Sequence, residues 1–424
     1  MLLVLLCAGA LEAQTDAGSI AITHVAVIDV AAGKTNPDMT VIIRDNRIAE
    51  IGPADSVKVS ESRVVDGRGK FLMPGMWDMH VHLGNATEAM LPIFVAYGVT
   101  GLRDMGSPSF EMVRQWRVEA LAGKRIAPRM VSPGPMLTML TPFFWQMQVK
   151  SPEEARRAVD YLAGIGVDFI KITETFDRPT YFAIADETER MGIPLAGHLP
   201  SNDNGIGFKV SAIEASNAGQ KCFEHGQGIP FPFEPQDPQI VPTLLRNGTW
   251  IDPTLTTYWV QAHMAELMSA KDERLKYIPP SLKQMWDAQT AGGWGNPAIK
   301  KQVFQWRMEE MKGLSQAGVP LLAGTDLGHP YVFPGEVSKE LELFVEAGLT
   351  PAEALRTATI NPARYLGREH ELGTVERGKF ADLDLLDGDP LRDIHNVTQI
   401  RAVVLNGKYL DRVHLDALLS RSLN

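Results

Sequence analysis

Cysteine is nearly missing from this chain: Cys7 and Cys222 are its two thiols in 424 residues. Cys7 sits in an apolar leading stretch, and a chain that sheds that stretch keeps one thiol. One thiol makes no internal disulfide, so the fold has to stand on its hydrophobic core. Positive charge is also short, with 41 Lys and Arg against 51 Asp and Glu and a net charge of −10. That balance argues against nucleic acid or an anionic membrane as partner, and leaves a small molecule in a local cleft as the expected one. Low-complexity tracts are lacking, and there is no repeat beyond an alternation of strand and helix. The leading run Met1–Gly9 is too short to span a bilayer. With the small residues Ala8-Gly9-Ala10 and Leu11-Glu12-Ala13 behind it, it reads as the apolar core and cleavage region of a signal peptide over residues 1–18, although no basic residues precede it. The expectation is a periplasmic or secreted protein without a stable membrane anchor. A lipid anchor on Cys7 is disfavoured, because Leu6 stands where a small residue is normally required.

What is present is ordinary for a globular protein: 45% apolar and 22% charged residues. The length suits one α/β barrel of about 250 residues plus a smaller domain. Residues 19–73 are rich in short Val/Ile strands, with Asp45-Asn46 suited to a tight turn. Residues 372–424 look alike: Asp382–Leu386 and Ile400–Leu405 read as strands, and Asn406-Gly407 is a strong hairpin signal. Two β-rich ends around an α/β middle (residues 74–371) predict a small β-sandwich built from both termini. The middle offers eight candidate strands: Gly75–His82, Val99–Met105, Arg129–Ser132, Asp168–Thr173, Pro194–His198, Cys222–His225, Thr249–Pro253 and Pro320–Thr325. Eight is the number that a closed parallel (β/α)8 TIM barrel needs. Ser151-Pro152-Glu153-Glu154 and Thr350-Pro351-Ala352-Glu353 read as capping boxes with proline at the first helical position. Ala155, Ala158, Val159 and Leu162 mark one buried helix face.

Four of these strands end in His or Asp, and a fifth carries a Lys on the same face. In Pro74–His82, side chains alternate, so His80 and His82 point the same way and can share a cation. Lys171 shares a face with Phe169 and Thr173. An ammonium aimed into a barrel is costly unless paired. It either meets a carboxylate such as Asp326 or reacts with CO₂ to give a carbamate, an anion that can bridge two metals. The fifth strand ends in His198, the sixth in His225 and the eighth in Asp326, all at the end of a barrel where active sites gather. Four imidazoles, one carboxylate and one carbamate exceed what a single zinc uses, so the count favours two ions. Zinc is the default metal for a His-rich hydrolytic site.

These residues resemble the amidohydrolase superfamily, and the resemblance spans nearly the whole chain. It is carried by Pro74–His82, Gly166–Ile172, Ala196–Pro200, Phe223–Gly226, Ala323–Asp326, and the run Asn361–Gly367 with Gly373–Leu383. The resemblance implies that His80, His82 and Asp326 hold the more buried metal, His198 and His225 the outer one, and N6-carboxylated Lys171 bridges them. The chain is similar to the imidazolonepropionase-like branch that includes Xaa-Pro dipeptidases and ochratoxinase, and Lys171 points toward its peptidase side. The segment Ser201–Gly205, inserted after the fifth strand, departs from typical dipeptidases.

The reaction implied is metal-assisted hydrolysis of a peptide or N-acyl amino acid amide. Asp326 would take a proton from the attacking water and pass it to the leaving amine. An ester, lactone or cyclic amide on the same centre is the alternative; a deaminase fits less well, and a non-catalytic scaffold requires lost ligands that are all present. The loops Pro135–Trp145 and Ile229–Phe233 either form an apolar pocket for an aromatic or apolar substrate group or pack against the insertion at 255–300. Tyr258 and His329 sit just past strand ends, as substrate contacts or as structural residues. Assembly into a homo-oligomer stays open.

Overall fold

The computed structural model describes residues 18–421 except 61, 85–87, 108, 144, 203–206, 230–237, 271 and 292–294. The expected signal segment, part of the Ser201–Gly205 insertion and most of the Ile229–Phe233 loop therefore lie outside the described residues.

The first strands follow the Val/Ile alternation. They are β1 (Ser19–Asp29), β2 (Lys34–Arg44), β3 (Arg47–Pro53), β4 (Ser62–Asp66) and β5 (Phe71–Pro74). The α/β middle contributes β6 (Met76–Val81), β7 (Val99–Asp104), β8 (Arg129–Val131), β9 (Met136–Thr138), β10 (Gln146–Gln148), β11 (Ile170–Ile172), β12 (Leu195–Gly197), β13 (Gln220–Glu224) and β14 (Trp250–Asp252). The C-terminal part adds β15 (Leu383–Leu386), β16 (Ile400–Leu405) and β17 (Lys408–Asp411). Asn406 and Gly407, both at positive φ, turn β16 into β17 as the Asn-Gly pair predicts.

Strands from the two ends of the chain do meet, with Leu383–Leu386 pairing antiparallel to Phe71–Pro74. They join into one hydrogen-bonded sheet of eight strands where a two-layered sandwich was expected. The eleven-residue β1 explains the difference: it pairs with β2, β4 and β5 along its length, and register shifts between Ile22 and Val27 bend it. Such irregularities let one sheet curl around its own core. That core holds Ile22, Val25, Val41, Leu72, Leu383 and Val404.

In the middle, regular pairing does not run through eight strands. It falls into a three-stranded parallel sheet (β6-β7-β8) and a six-stranded one (β10-β9-β11-β12-β13-β14). The eighth expected strand, Pro320–Thr325, makes one isolated bridge, Ile251 to Leu321, and a second, Val81 to Leu327, lies just past its end. Its composition accounts for this. Pro320 has no N–H to donate. Thr325 gives its N–H (3.0 Å) and its hydroxyl (2.7 Å) to the side chain of Asp78 instead of to the backbone of a neighbouring strand. Asp326 is left-handed at φ 62°. The segment nevertheless lies between β14 and β6. Leu322 N–H donates to Ile251 O at 2.9 Å, Met79 N–H to Ala323 O at 2.8 Å, and Asp326 N–H to His80 O at 2.7 Å. Asn361 ties the segment from behind, its amide donating to Leu321 O at 2.8 Å.

Helices cover the parallel strands. The Pro152–Gly164 helix buries Ala155, Ala158, Val159 and Leu162 as its period predicts. Its cap is half of the expected box: Ser151 accepts from Glu154 N–H, but the Glu154 carboxylate takes the N–H of Lys150. The Pro351–Thr357 helix has the complete box. Among the described residues no helix is long and apolar enough to cross a membrane.

Candidate metal centre

Parallel pairing brings the C-terminal ends of the strands to one side, and the predicted donors gather there. His80 lies in β6 with His82 just past its end; His198 follows β12, and His225 follows β13 at φ 64°. Left-handed backbone at His225 and Asp326 breaks the strand alternation, which turns both side chains toward the same centre.

The contacts form a chain. Asp326 Oδ1 lies 3.3 Å from His82 Nε2 and 3.5 Å from His80 Nε2. The His80 and His225 rings are 4.8 Å apart, and His225 Nε2 faces His198 Nε2 at 3.0 Å. His80, His225 and Asp326 are mutually close enough to hold one cation. Lys171, 1% exposed in β11, points into the same region and its Nζ has no hydrogen-bond partner. The salt bridge to Asp326 considered as its alternative fate does not form among the described contacts.

Three imidazoles are oriented the same way. Nδ1 of His80 meets Glu224 at 2.9 Å, Nδ1 of His198 meets Glu174 at 2.5 Å, and Nδ1 of His225 meets Thr254 Oγ1 at 2.7 Å. A partner on Nδ1 sets the tautomer and leaves the Nε2 lone pair facing inward, the arrangement a ligating histidine uses. Burial supports the neutral rings: it drives His80 down to about 3, and His225 well below the ordinary imidazole range. Glu174 falls to about 2 because His198 donates to it. Burial lowers Lys171, which favours a neutral amine. Burial works to raise Asp326, but the neighbouring His329, His80 and His82 outweigh it and hold the carboxyl well below its usual range.

Beneath this cluster lies a second one that sequence reasoning missed. Arg103, fully buried, donates to both oxygens of Glu224 (2.9 and 3.1 Å), to Asp252 (3.0 Å) and to the Tyr365 hydroxyl (3.1 Å). His80, Glu224 and Asp252 also sit close enough for a cation. The guanidinium already fills that role, so the other side of His80 is the one left open to a metal ion. The signal available beforehand was the Glu preceding His225 in Phe223–Gly226, but one acid in a strand has many uses.

Of the two proposed substrate contacts, His329 Nε2 lies 3.1 Å from Asp326 Oδ2, at the edge of the cluster. Tyr258 lies within the Leu255–Ala262 helix, and its hydroxyl donates to His225 O at 3.2 Å. The described part of the Pro135–Trp145 loop stacks Phe143 on Trp145 at 5.4 Å, with Phe143 64% exposed. Trp145 approaches Gly106, whose carbonyl accepts from Gly84, two residues past His82.

The residues fit the divalent ions that the resemblance implies. His80 Nε2, Lys171 Nζ and Asp326 Oδ1 are all buried with no hydrogen-bond partner. Buried polar atoms of this kind are rare unless something else satisfies them.

A model of the amidohydrolase family matches residues 71–410. Adenine deaminase from Rubrobacter xylanophilus is 24% identical over 386 residues, covering 86% of this chain; the chain spans about half (53%) of that protein's length. Ochratoxinase from Aspergillus niger is 22% identical over 457 residues, covering 92% of this chain and 86% of that protein. Among solved structures, a candidate prolidase from Bifidobacterium longum superposes with a TM-score of 0.75 at 26% identity, covering 96% of this chain and 100% of that one.

Proposed function

Because this chain belongs to the amidohydrolase family, and is thereby a hydrolase acting on carbon–nitrogen bonds, we propose that it uses two divalent metal ions to cleave an amide bond of the peptide or N-acyl amino acid type. The observation that carries the reading is the set of six converging donors, three of which present buried polar atoms with no hydrogen-bond partner. His80, His82 and Asp326 would hold one ion, His198 and His225 the other, and Lys171 as a carbamate would span both; zinc is the default ion. Likeness to a candidate prolidase supports an amide substrate of the peptide type.

We read β6 to β8, β11 to β14 and the 320–327 segment as one (β/α)8 barrel over residues 74–371, with β9 and β10 beside it, flanked by a domain from 19–73 and 372–424. In support, backbone hydrogen bonds cross both seams: Asp168 N–H to Ser132 O at 3.0 Å, and Met79 N–H to Ala323 O.

When bound, the ions lower the pKa of a water and stabilise negative charge developing on a carbonyl oxygen. The chain's own part is proton handling and orientation. Asp326, ionised over the working pH range, accepts the proton of the attacking water and returns it to the leaving nitrogen, which departs poorly as an anion. His329, 3.1 Å from the second Asp326 oxygen, holds that carboxylate in place; burial opposes its charged form, but Asp326 raises its pKa on balance. Glu224, Glu174 and Thr254 keep three imidazoles turned inward.

The test is turnover of zinc-loaded protein on a library of N-acyl amino acids and dipeptides, Xaa-Pro included, beside ester and lactone panels. Amide turnover that disappears with a chelator and returns with zinc supports the proposal. Turnover of esters or lactones alone would move the function to the other carbonyl class.

A further inference from the structure

At the opposite, N-terminal ends of the parallel strands lies a cavity of about 420 Å³ that the reaction does not use. It opens where the first residue of β8, Arg129, meets the hairpin of β16 and β17. A volume of this size falls in the range of small-molecule sites, roughly 300–1,000 Å³. Its walls are mostly apolar, with Ile126, Met130, Leu405 and Leu410 among them, and Leu121 at its edge is 60% exposed.

Charge at this cavity is arranged with one gap. Arg117 pairs with Asp168, Arg129 with Asp382 at 2.5 Å, Arg125 with Glu119 and Glu88 at 2.5 and 2.6 Å, and Arg368 with Glu371 at 2.7 Å. Each guanidinium is therefore answered by a carboxylate. Lys408, on the same wall, makes no ion pair or side-chain hydrogen bond among the described residues. Its ammonium lies over Gly123, so close that a Cβ there would stand 2.5 Å from Nζ. Gly123 is left-handed at φ 69°, so a side chain is disfavoured there on two counts. The glycine leaves the ammonium at the cavity mouth in a chain whose net charge is −10.

We propose that this cavity binds a small amphipathic carboxylate, its apolar body against Ile126, Met130 and Leu405 and its anionic head on Lys408. The apolar walls supply affinity and the single unanswered cation selects the sign of the head group. The site is separate from the six candidate metal donors, none of which lines the cavity.

Decanoate titrated calorimetrically into the full chain tests this, with decanol and decylamine as neutral and cationic controls. Expected is saturable one-to-one binding of decanoate, unchanged by a chelator, with decylamine binding at least about tenfold more weakly. Lys408→Glu, an exposed substitution, should weaken decanoate about tenfold and leave decanol and the melting temperature unchanged. Ala127→Leu, which fills the cavity wall, should weaken all three. Equal decanoate affinity in wild type and Lys408→Glu would overturn the proposal. So would decanoate binding that a chelator abolishes, since that places the carboxylate at the metal centre.

Discussion

Two buried polar clusters share the parallel strands and differ in how they are completed. In one, Arg103 answers Glu224 and Asp252 and draws in Tyr365, leaving Asp252 Oδ1 as its one atom without a partner. In the other, the buried atoms His80 Nε2, Lys171 Nζ and Asp326 Oδ1 have no hydrogen-bond partner. His80 belongs to both, its Nδ1 tied to the finished cluster and its Nε2 turned to the unfinished one. A guanidinium inside the protein completes the first, and the account has cations from solution complete the second. Where a buried cluster is left open on one side only, that side is where chemistry is expected.

Four substitutions and one pH series probe that contrast, taken from the largest effect down. Lys171→Ala should strip metal and activity together, and bicarbonate with a short carboxylic acid should restore part of both; full activity without rescue would refute the bridging role. Asp326→Asn should keep most of the metal while kcat falls by about 10²–10⁴; unchanged turnover would remove it as the proton carrier. Arg103→Met should cost about 3–5 kcal/mol in urea unfolding of the metal-free protein, because two buried carboxylates lose their cation. A loss below about 1 kcal/mol would mean that the first cluster is not held by charge pairing. Glu174→Gln should weaken zinc binding about 10–100-fold by equilibrium dialysis with little change in stability, since Glu174 only steers His198.

The smallest effect concerns Glu340, which accepts from the N–H groups of Leu255 and Thr256 and is pushed by burial up to about 8. Its folded pKa lies above the unfolded value, so its contribution to stability is complete below about pH 4.3 and is lost as pH rises through 8. Glu340→Gln should therefore flatten the decline in urea stability across that window relative to wild type. Parallel curves for the two proteins would show that Glu340 does not titrate there.

How much was legible beforehand follows from the same contrast. His80 and His82 could be read because strand alternation puts i and i+2 on one face, and His198, His225 and Asp326 because each closes a short apolar run. Arg103, Glu224, Asp252 and Glu174 could not be read. They are single charged residues on separate strands, and their meaning lies in pairing across 24 to 149 positions of sequence. The eighth strand was overcalled because an apolar run such as Val319–Ala323 does not reveal that Thr325 spends its donors on Asp78. The two-layered sandwich is not confirmed, because pattern identifies strands but not whether a bent β1 can serve three neighbours in one sheet. Tyr258 lies past the end of β14, in the Leu255–Ala262 helix, and is anchored on the His225 carbonyl.

The most direct measurement is the zinc content of the purified chain after dialysis against a small excess of the ion, read by mass spectrometry of the metal. Two ions per wild-type chain is the expected result. One ion or none would contradict a centre assembled from all six side chains.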